Sequence, residues 1–186
     1  KKAAISAGVA MARGTLIVTT DADCMTPPHW IRHIVQAYEQ KGWQCIAGPV
    51  LLHQEQNALE KFQSLDFLGT MVITGAGIYS GQLLMANGAN FAYSKSAFEA
   101  VEGYAGVSHK ASGDDLFLLH KIAQQYPDQI GFLKQVGAVV HTQAMPKLSD
   151  FIRQRIRWGT KNASYADHRV TLIAGLVFAT CWGILF

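Results

Sequence analysis

Three groups of side chains in this sequence have types and spacings that suit chemistry on phosphate and hydroxyl groups. They are two acidic pairs and one basic-aromatic set: Asp21 with Asp23, Asp114 with Asp115, and Gln154 with Arg157 and Trp158. Each group alone is weak evidence, because short motifs of this kind also arise without any shared function. Together and in this order they predict a site that holds a metal-bound diphosphate, a general base and an acceptor clamp.

Asp21 and Asp23 are suited to bind a hard cation. They stand two residues apart directly after an apolar run, and Mg²⁺ or Mn²⁺ takes carboxylate oxygens together with diphosphate oxygens. The alternative is an Asp-rich turn whose carboxylates accept backbone N–H groups. His141 ends a later strand-like run and is a further candidate metal ligand, with a solvated or structural histidine as its alternative.

Asp114 and Asp115 stand where a predicted helix begins. Acidic residues at such a position cap the helix and interact well with its dipole, which is one reading of the pair. A carboxylate beside a bound sugar can also take the proton from an acceptor hydroxyl. We assign that role to Asp115 and a supporting role to Asp114.

Gln154, Arg157 and Trp158 lie on one face of a predicted helix, since they are three and four residues apart. Arg153 and Arg155 are expected to point elsewhere. A guanidinium beside an indole can contact phosphate oxygens while the ring stacks on a sugar. The alternative is a basic helix next to a membrane, with Trp158 in the interfacial aromatic belt.

The elements around these residues alternate between helix and strand, which predicts an α/β fold. Residues 15–20 have the apolar, β-branched composition of a strand buried in a parallel sheet, and Asp21 follows at its carboxyl end. Further strands are predicted at 45–52, with Pro49 indicating an edge or a bulge, at 89–93 and at 130–140. Helices are predicted at 1–13, from Pro27 to Gly42, at 57–68, after Ser94 or Ser96, after Asp115, and at 148–163. Glycines in 69–85 favour packed or partly mobile structure there.

The carboxyl-terminal part of the sequence is strongly apolar. The chain is 49% hydrophobic and 16% charged, and residues 170–186 contain no charged side chain. We expect the start of a transmembrane helix there, a buried terminal helix being the alternative. The preceding flank is basic, as on the cytoplasmic side of a span. A net charge of +3 placed largely in that flank suits a membrane surface or phosphates more than nucleic acid. Three cysteines without metal-type spacing fit a reducing compartment.

The order of motifs resembles the family 2 membrane-associated inverting glycosyltransferases of the GT-A fold, the group of cellulose, hyaluronan and chitin synthases and ceramide glucosyltransferases. On the donor side, Lys1 to Ser6 match the family's Gly-Lys-x-x-Ala-Leu-Asn motif, and Asp21-Ala22-Asp23 match its nucleotide-sugar motif. Gly88 to Lys95 match its acceptor-side segment, and Asp114-Asp115 match its Glu-Asp pair. Gln154 to Trp158 match its Gln-x-x-Arg-Trp motif. Asp114 replaces the usual Glu, Ser6 replaces Asn, and the leading Gly of the first motif is missing. The family's first strands, which contact the nucleotide base, are expected before Lys1.

The resemblance implies a mixed GT-A sheet flanked by helices over residues 1–168, followed by the start of a transmembrane helix at 169–186. It implies one-step sugar transfer with inversion from a nucleotide-diphospho-sugar, usually a UDP-sugar, to a lipid or growing polysaccharide. Asp115 would be the base, and Mg²⁺ or Mn²⁺ would bind at Asp23 and Asp21. Donor contacts would come from Asp21, Asp23 and Lys1 together with Gln154, Arg157 and Trp158. Acceptor contacts would come from Gly88, Asn90 and Trp158, in an integral membrane protein whose catalytic domain faces the cytoplasm.

Two other classes of protein share part of this pattern. A different metal-dependent nucleotidyl or phosphate-transfer enzyme reuses an Asp pair but does not require Gln154, Arg157 and Trp158 on one helix face. A non-catalytic, membrane-anchored nucleotide-binding domain would bind without transferring. Transfer or hydrolysis of nucleotide-sugars separates the first reading from both.

Overall fold

The computed structural model describes residues 1–106 and 113–162, with the backbone alone for 159–162. It divides the chain into two compact units, Lys1–Ala144 and Met145–Phe186. The predicted boundary between 168 and 169 and the predicted transmembrane start lie outside the described residues, and both stay predictions. Within the described residues, no helix combines the length and apolarity that a membrane crossing requires.

The first unit alternates helices and strands as the sequence predicts. Its elements are α1 (Lys2–Met11), β1 (Leu16–Thr19), α2 (Trp30–Lys41), β2 (Cys45–Ala47), β3 (Val50–Leu52), α3 (Ala58–Ser80), β4 (Phe91–Ser94), α4 (Lys95–Ala100), α5 (Asp114–Gln125), β5 (Ile130–Phe132) and β6 (Val140–Thr142), with 3₁₀ turns at Gly88–Asn90 and Val136–Ala138. The described part of the second unit contains α6 (Leu148–Asn162). The result is a mixed α/β architecture.

Four strands form the main sheet in the order β1-β4-β2-β5. β4 is antiparallel to both β1 and β2, whereas β2 and β5 are parallel. The prediction that residues 15–20 form a strand buried in a parallel sheet is therefore wrong about the pairing and the burial. β1 pairs antiparallel with β4, and its four residues are half-buried. Composition favours a strand here but does not select the direction of its partner.

Two predicted strands are each divided in the structure. The run 45–52 splits at Gly48 and Pro49 into β2 and β3, and the run 130–140 splits into β5 and β6 around the second 3₁₀ turn. β3 and β6 pair in parallel as a separate two-stranded sheet. The divisions match each other, because β2 pairs with β5 in one sheet while β3 pairs with β6 in the next. Pro49 indicates the interruption from the sequence, since it cannot donate a backbone hydrogen bond.

α3 is a single 23-residue helix, so the prediction that the helix ends at residue 68 is wrong, whereas the packing predicted for the residues after it is observed at Met71, Thr74, Gly77 and Ile78, which are buried. Asn57 caps its start by accepting a hydrogen bond from the Glu60 N–H, and Gly81 ends it with a left-handed φ of 67°. Two of its internal glycines allow close packing. A Cβ at Gly75 would lie 3.0 Å from the Phe132 ring, and one at Gly77 would collide with Leu83. Tertiary contact therefore outweighs the low helix propensity of glycine here.

The hydrophobic core packs α5 against the main sheet. Leu118, Leu119 and Ile122 are fully buried and belong to one cluster with Phe91 and Tyr93 of β4. The helix predicted after Asp115 is thus confirmed. Burying a side chain of this size contributes about 1.5–3 kcal/mol. The core consequently fixes the start of α5, where the second acidic pair stands.

Helix ends agree with the sequence in most places. Ser94 caps α4 by accepting from the Ala97 N–H at 3.0 Å, and Gly42 ends α2 in the left-handed conformation with a φ of 66°. α2 begins only at Trp30, later than the predicted start at Pro27. The residues between Thr19 and Trp30 therefore belong to the loop that connects β1 to α2.

Candidate active site

The acidic residues after β1 lie in a short, ordered turn, which we call the donor loop (residues 21–25). Cys24 N donates to Asp21 O at 3.2 Å, and Met25 forms a two-way backbone bridge with His141 at 2.7 and 2.8 Å. Asp23 is exposed and the Asp21 carboxylate is half-exposed. The loop thus holds its two carboxylates open to a ligand while both of its ends are fixed.

Lys1 lies beside the donor loop. Its Nζ is 3.5 Å from Asp21 Oδ1, and its side chain is 61% exposed. An exposed ion pair of this kind contributes at most about 1 kcal/mol. The Lys1 ammonium can therefore exchange Asp21 for a phosphate oxygen at little cost.

Asp115 is held by two backbone donors. The Gly88 N–H donates to Oδ2 at 2.7 Å, and the Leu116 N–H donates to Oδ1 at 2.9 Å. One bond comes from the helix that carries Asp115 and the other from the 3₁₀ turn in front of β4. Both carboxylate oxygens are thereby oriented, and each keeps acceptor capacity for a further proton donor.

Gly88 is the point at which these groups meet. A Cβ built on Gly88 would lie 3.5 Å from Asp115 Oδ2 and 3.7 Å from Lys1 Nζ. Lys1 in turn contacts Asp21. The structure therefore brings Lys1, Asp21, Gly88 and Asp115, which are far apart in sequence, into one neighbourhood.

Asp114 points away from this neighbourhood into the protein. Its Oδ1 is 3.4 Å from Lys2 Nζ, and both side chains are less than a tenth exposed. The Lys2 ammonium also lies 5.5 Å from the centre of the Phe117 ring. Tyr104 is near both acidic residues: burial raises its pKa, and the phenol of Tyr93 and then the charges of Asp114 and Asp115 raise it further. Asp114 thus joins the start of α5 to α1, and its predicted supporting role stays a prediction.

Asn90 is 1% exposed, and its amide joins three segments. Oδ1 accepts from Trp30 Nε1 at 3.0 Å, while Nδ2 donates to Pro49 O and Ala138 O, each at 2.8 Å. The side chain also fills the space where a Cβ of Gly48 would stand. The amide expected to bind the acceptor is therefore used inside the protein, and its geometry is that of a positioning residue.

His141 lies next to the donor loop through its backbone, and its ring packs edge-on against His53 with centroids 5.8 Å apart. Among the residues that the structure describes, no three His, Cys, Asp or Glu side chains are grouped so that they could hold a metal ion. Asp21 and Asp23 remain as a two-carboxylate set. That set fits a hard cation whose other ligands are diphosphate oxygens and water. Near it, burial raises the pKa of the Cys24 thiol, and the charges of Asp23 and Asp21 add to the rise.

In the second unit, α6 carries the basic-aromatic set. Gln154 and Trp158 are half-buried and Arg157 is exposed. The Arg155 guanidinium lies 4.6 Å from the Trp158 ring and 4.8 Å from the Phe151 ring. The expectation that Arg155 points away from this set is therefore wrong, because a long side chain on the next turn reaches the indole. The approach of α6 to the acidic residues stays a prediction.

Comparison with models of protein families assigns the chain to a family. A family model described as glycosyl transferase family group 2 matches residues 16–186. The chain belongs to this glycosyltransferase family. Its mixed α/β sheet flanked by helices agrees with the expected GT-A architecture.

Among solved structures, the chain is similar to glucosyl-3-phosphoglycerate synthase from Mycobacterium tuberculosis in complex with phosphoglyceric acid, at 15% identity and a TM-score of 0.48. The similarity covers 82% of this chain and 49% of that one. Comparison with the curated proteins gives no match.

Three further residues of this glycosyltransferase contact residues of the candidate site, and no local pattern in the sequence indicates these contacts. Thr19 contacts the turn that holds Asp115, Lys2 pairs with Asp114, and Trp30 donates to Asn90. Thr19 and Trp30 resemble ordinary strand and helix residues, and Lys2 resembles a surface lysine. One sequence feature was informative: Thr19 is the last residue of the strand that leads into the donor loop.

Proposed function

We propose that the full protein transfers a sugar from a nucleotide-diphospho-sugar, with UDP as the usual nucleotide of the family, to a lipid or growing polysaccharide acceptor. Family membership supports the reaction class. The observation that carries the proposal is the shared neighbourhood of Lys1, Asp21, Gly88 and Asp115. It places groups suited to a diphosphate beside a carboxylate suited to act as a base.

In the proposed step, Asp115 takes the proton of an acceptor hydroxyl. The hydroxyl oxygen bonds to the anomeric carbon of the donor sugar while the bond to the diphosphate oxygen breaks. Attack from the side opposite the leaving group inverts the anomeric configuration. The nucleoside diphosphate leaves with the bonding electron pair, and general base catalysis of this kind contributes about 10²–10⁴-fold.

The donor side is assigned to the exposed groups around the donor loop. Lys1 would release Asp21 and contact a phosphate oxygen, and Asp21 and Asp23 would hold Mg²⁺ or Mn²⁺. Such a cation would offset the charge that develops on the leaving diphosphate. His141 stays a candidate ligand because its backbone bridge with Met25 keeps it beside the loop.

Gly88 and Trp158 are proposed to face the acceptor, and Gln154 and Arg157 to close over the donor diphosphate. A bare Gly88 leaves room beside Asp115 for a hydroxyl group, which supports its assignment. Asn90 is proposed to shape this side through its internal hydrogen bonds.

We also propose that the protein is membrane-associated and that its catalytic domain lies on the cytoplasmic side. α6 exposes Leu148, Ile152 and Ile156 together with Arg153. Helices with an apolar face and basic residues bind in the plane of anionic membranes. The uncharged sequence 170–186 and its basic flank support the same placement.

The test is product analysis of the full protein in membranes supplied with a panel of nucleotide-sugars and Mg²⁺ or Mn²⁺. We expect transfer from one donor with an inverted product. Asp115→Asn should lower transfer by about 10²–10⁴-fold. The matched control is Asp128→Asn, which makes the same change at an exposed position in the turn before β5. Equal rates in the two variants would refute the base assignment. Nucleotidyl transfer, or binding without turnover, would support one of the other two classes.

A further inference from the structure

The Thr19 side chain contacts the turn that orients Asp115. Thr19 is the last residue of β1 and pairs with Phe91 at the start of β4. Its Oγ1 lies 3.2 Å from Gly88 O and 3.0 Å from Phe91 O. A hydroxyl has one proton, so it is shared between the two carbonyls. The hydroxyl thus holds both ends of the 3₁₀ turn that precedes β4.

Gly88 is held from both sides by this arrangement. Its N–H donates to Asp115 Oδ2, and its carbonyl accepts from Thr19. Glycine has the widest range of backbone conformations. The direction of the Gly88 N–H is therefore well defined only if the neighbouring peptide is held in place. The Thr19 hydroxyl fixes that peptide directly.

Other hydrogen bonds hold the turn beside that of Thr19, which binds only the carbonyl end of the Gly88–Ala89 peptide. The N–H end of that peptide donates to the Asn87 side chain at 3.0 Å, and Asn90 N donates to Asn87 O at 3.0 Å. The Asn90 amide is joined to Trp30, Pro49 and Ala138. Loss of the Thr19 hydroxyl would therefore act on Gly88 rather than unfold the turn.

We propose that Thr19 is a positioning residue for the general base, acting through Gly88 to aim a backbone N–H at Asp115. The inference deepens the proposed function and rests on it. Thr19 also stands two residues before Asp21. The same strand end therefore sets both the carboxylate on the donor side and, through one hydroxyl, the orientation of the base.

The chemical consequence concerns the orientation of Asp115. If the Gly88 N–H turns away, Oδ2 loses the donor that orients it. Misplacing a reacting group lowers the rate of the chemical step more than it weakens substrate binding. We therefore expect kcat to fall while KM for the donor is kept, a separation that loss of the folded structure would not produce.

The experiment uses the full protein in membranes with the nucleotide-sugar that the wild type accepts. Thr19→Val removes the hydroxyl and keeps the branched shape. We expect kcat to fall about tenfold, as for about 1.4 kcal/mol of lost stabilisation. KM for the donor should stay within about twofold. Thr19→Ser, which keeps the hydroxyl, should restore kcat.

The matched control is Thr70→Val. Thr70 Oγ1 also donates to a backbone carbonyl, that of Asp66 at 3.1 Å, but does so on α3. Its kcat should equal that of the wild type. If Thr19→Val melts near the assay temperature, Thr19→Cys replaces it, because a thiol keeps the size but donates weakly.

Two outcomes would overturn the inference. One is a wild-type kcat in Thr19→Val, and the other is equal impairment of Thr19→Val and Thr19→Ser. Failure of the proposed function has a different signature, namely no sugar transfer by the wild type or full activity in Asp115→Asn. A wild type that transfers, with an inactive Asp115→Asn and an unaffected Thr19→Val, would reject only the role of Thr19.

Discussion

Lys2 Nζ lies 3.4 Å from Asp114 Oδ1, and each of these side chains is less than a tenth exposed. The pair joins α1 to the first residue of α5. Because Asp115 follows directly, the ion pair helps to fix the helix start from which the proposed base projects. Its neighbour Lys1 forms an ion pair at almost the same distance, 3.5 Å, but in an exposed position. The two lysines thus provide an internal comparison of buried and exposed pairing.

Replacing Lys2 by methionine should destabilise the protein strongly. Breaking a buried ion pair leaves an uncompensated charge, which costs about 3–5 kcal/mol. Lys1→Met, which removes an exposed pair, should cost at most about 1 kcal/mol. The free energy of unfolding in urea measures both. Restored stability in Lys2→Met/Asp114→Leu would show that the cost comes from the unpaired carboxylate, and equal effects of the two single changes would contradict the prediction.

Gly88→Ala should separate activity from stability. The added methyl would lie at ordinary contact distance, 3.5 Å from Asp115 Oδ2 and 3.7 Å from Lys1 Nζ, and Gly88 does not have a positive φ. We expect a melting temperature close to that of the wild type and a loss of sugar transfer of about tenfold or more, since the methyl occupies the proposed acceptor position. Gly8→Ala, where a methyl meets nothing within 4 Å, is the control and should keep full activity. Normal transfer by Gly88→Ala would place the acceptor elsewhere.

Trp30→Phe tests whether Asn90 positions the site or binds the acceptor. The change removes the indole N–H and leaves the buried Asn90 Oδ1 without that donor. We expect a loss of about 1–3 kcal/mol in the free energy of unfolding. The acceptor KM of the remaining folded protein should not change. An increased acceptor KM without loss of stability would favour direct acceptor binding by Asn90.

The protein should lose stability at alkaline pH through its buried phenols. Burial raises the pKa of Tyr93 from 10 to about 12, and that of Tyr104 also rises. Above pH 10 the unfolded chain ionises these groups while the folded chain keeps them protonated, so ionisation favours unfolding. Stability should be intact below pH 10 and fall between pH 10 and about 12.

Circular dichroism melts together with tyrosinate absorbance follow this transition. Tyr93→Phe should reduce the alkaline loss, because one of the responsible groups is absent. Tyr79→Phe is the control, since Tyr79 is 96% exposed. An identical alkaline transition in both variants would show that Tyr93 does not contribute.

Part of the candidate site is predictable because its residues are chemically distinctive and follow element ends. The sequence predicts that Asp21 and Asp115 share a site, and the structure places both near Lys1 and Gly88; their roles stay predictions. No local pattern indicates the contacts of Thr19 and Lys2. Their importance depends on contacts across the fold, with Gly88 and Asp114, that no local pattern records.

The errors in the fold have the same origin. The apolar composition of β1 indicated a strand but not its antiparallel partner β4. The glycines of α3 suggested an interrupted helix, whereas Gly75 and Gly77 provide space for Phe132 and Leu83. Periodicity and propensity describe single elements, and these features are decided between elements.

Gly48 has a consequence for how this protein can vary. The Asn90 amide occupies the position that any side chain at residue 48 would need. Changes at the two positions are therefore interdependent: a larger residue at 48 requires a smaller one at 90, and the partners of the amide are then lost as well. Random mutagenesis of both codons followed by selection should return compatible pairs, and few substitutions that survive singly.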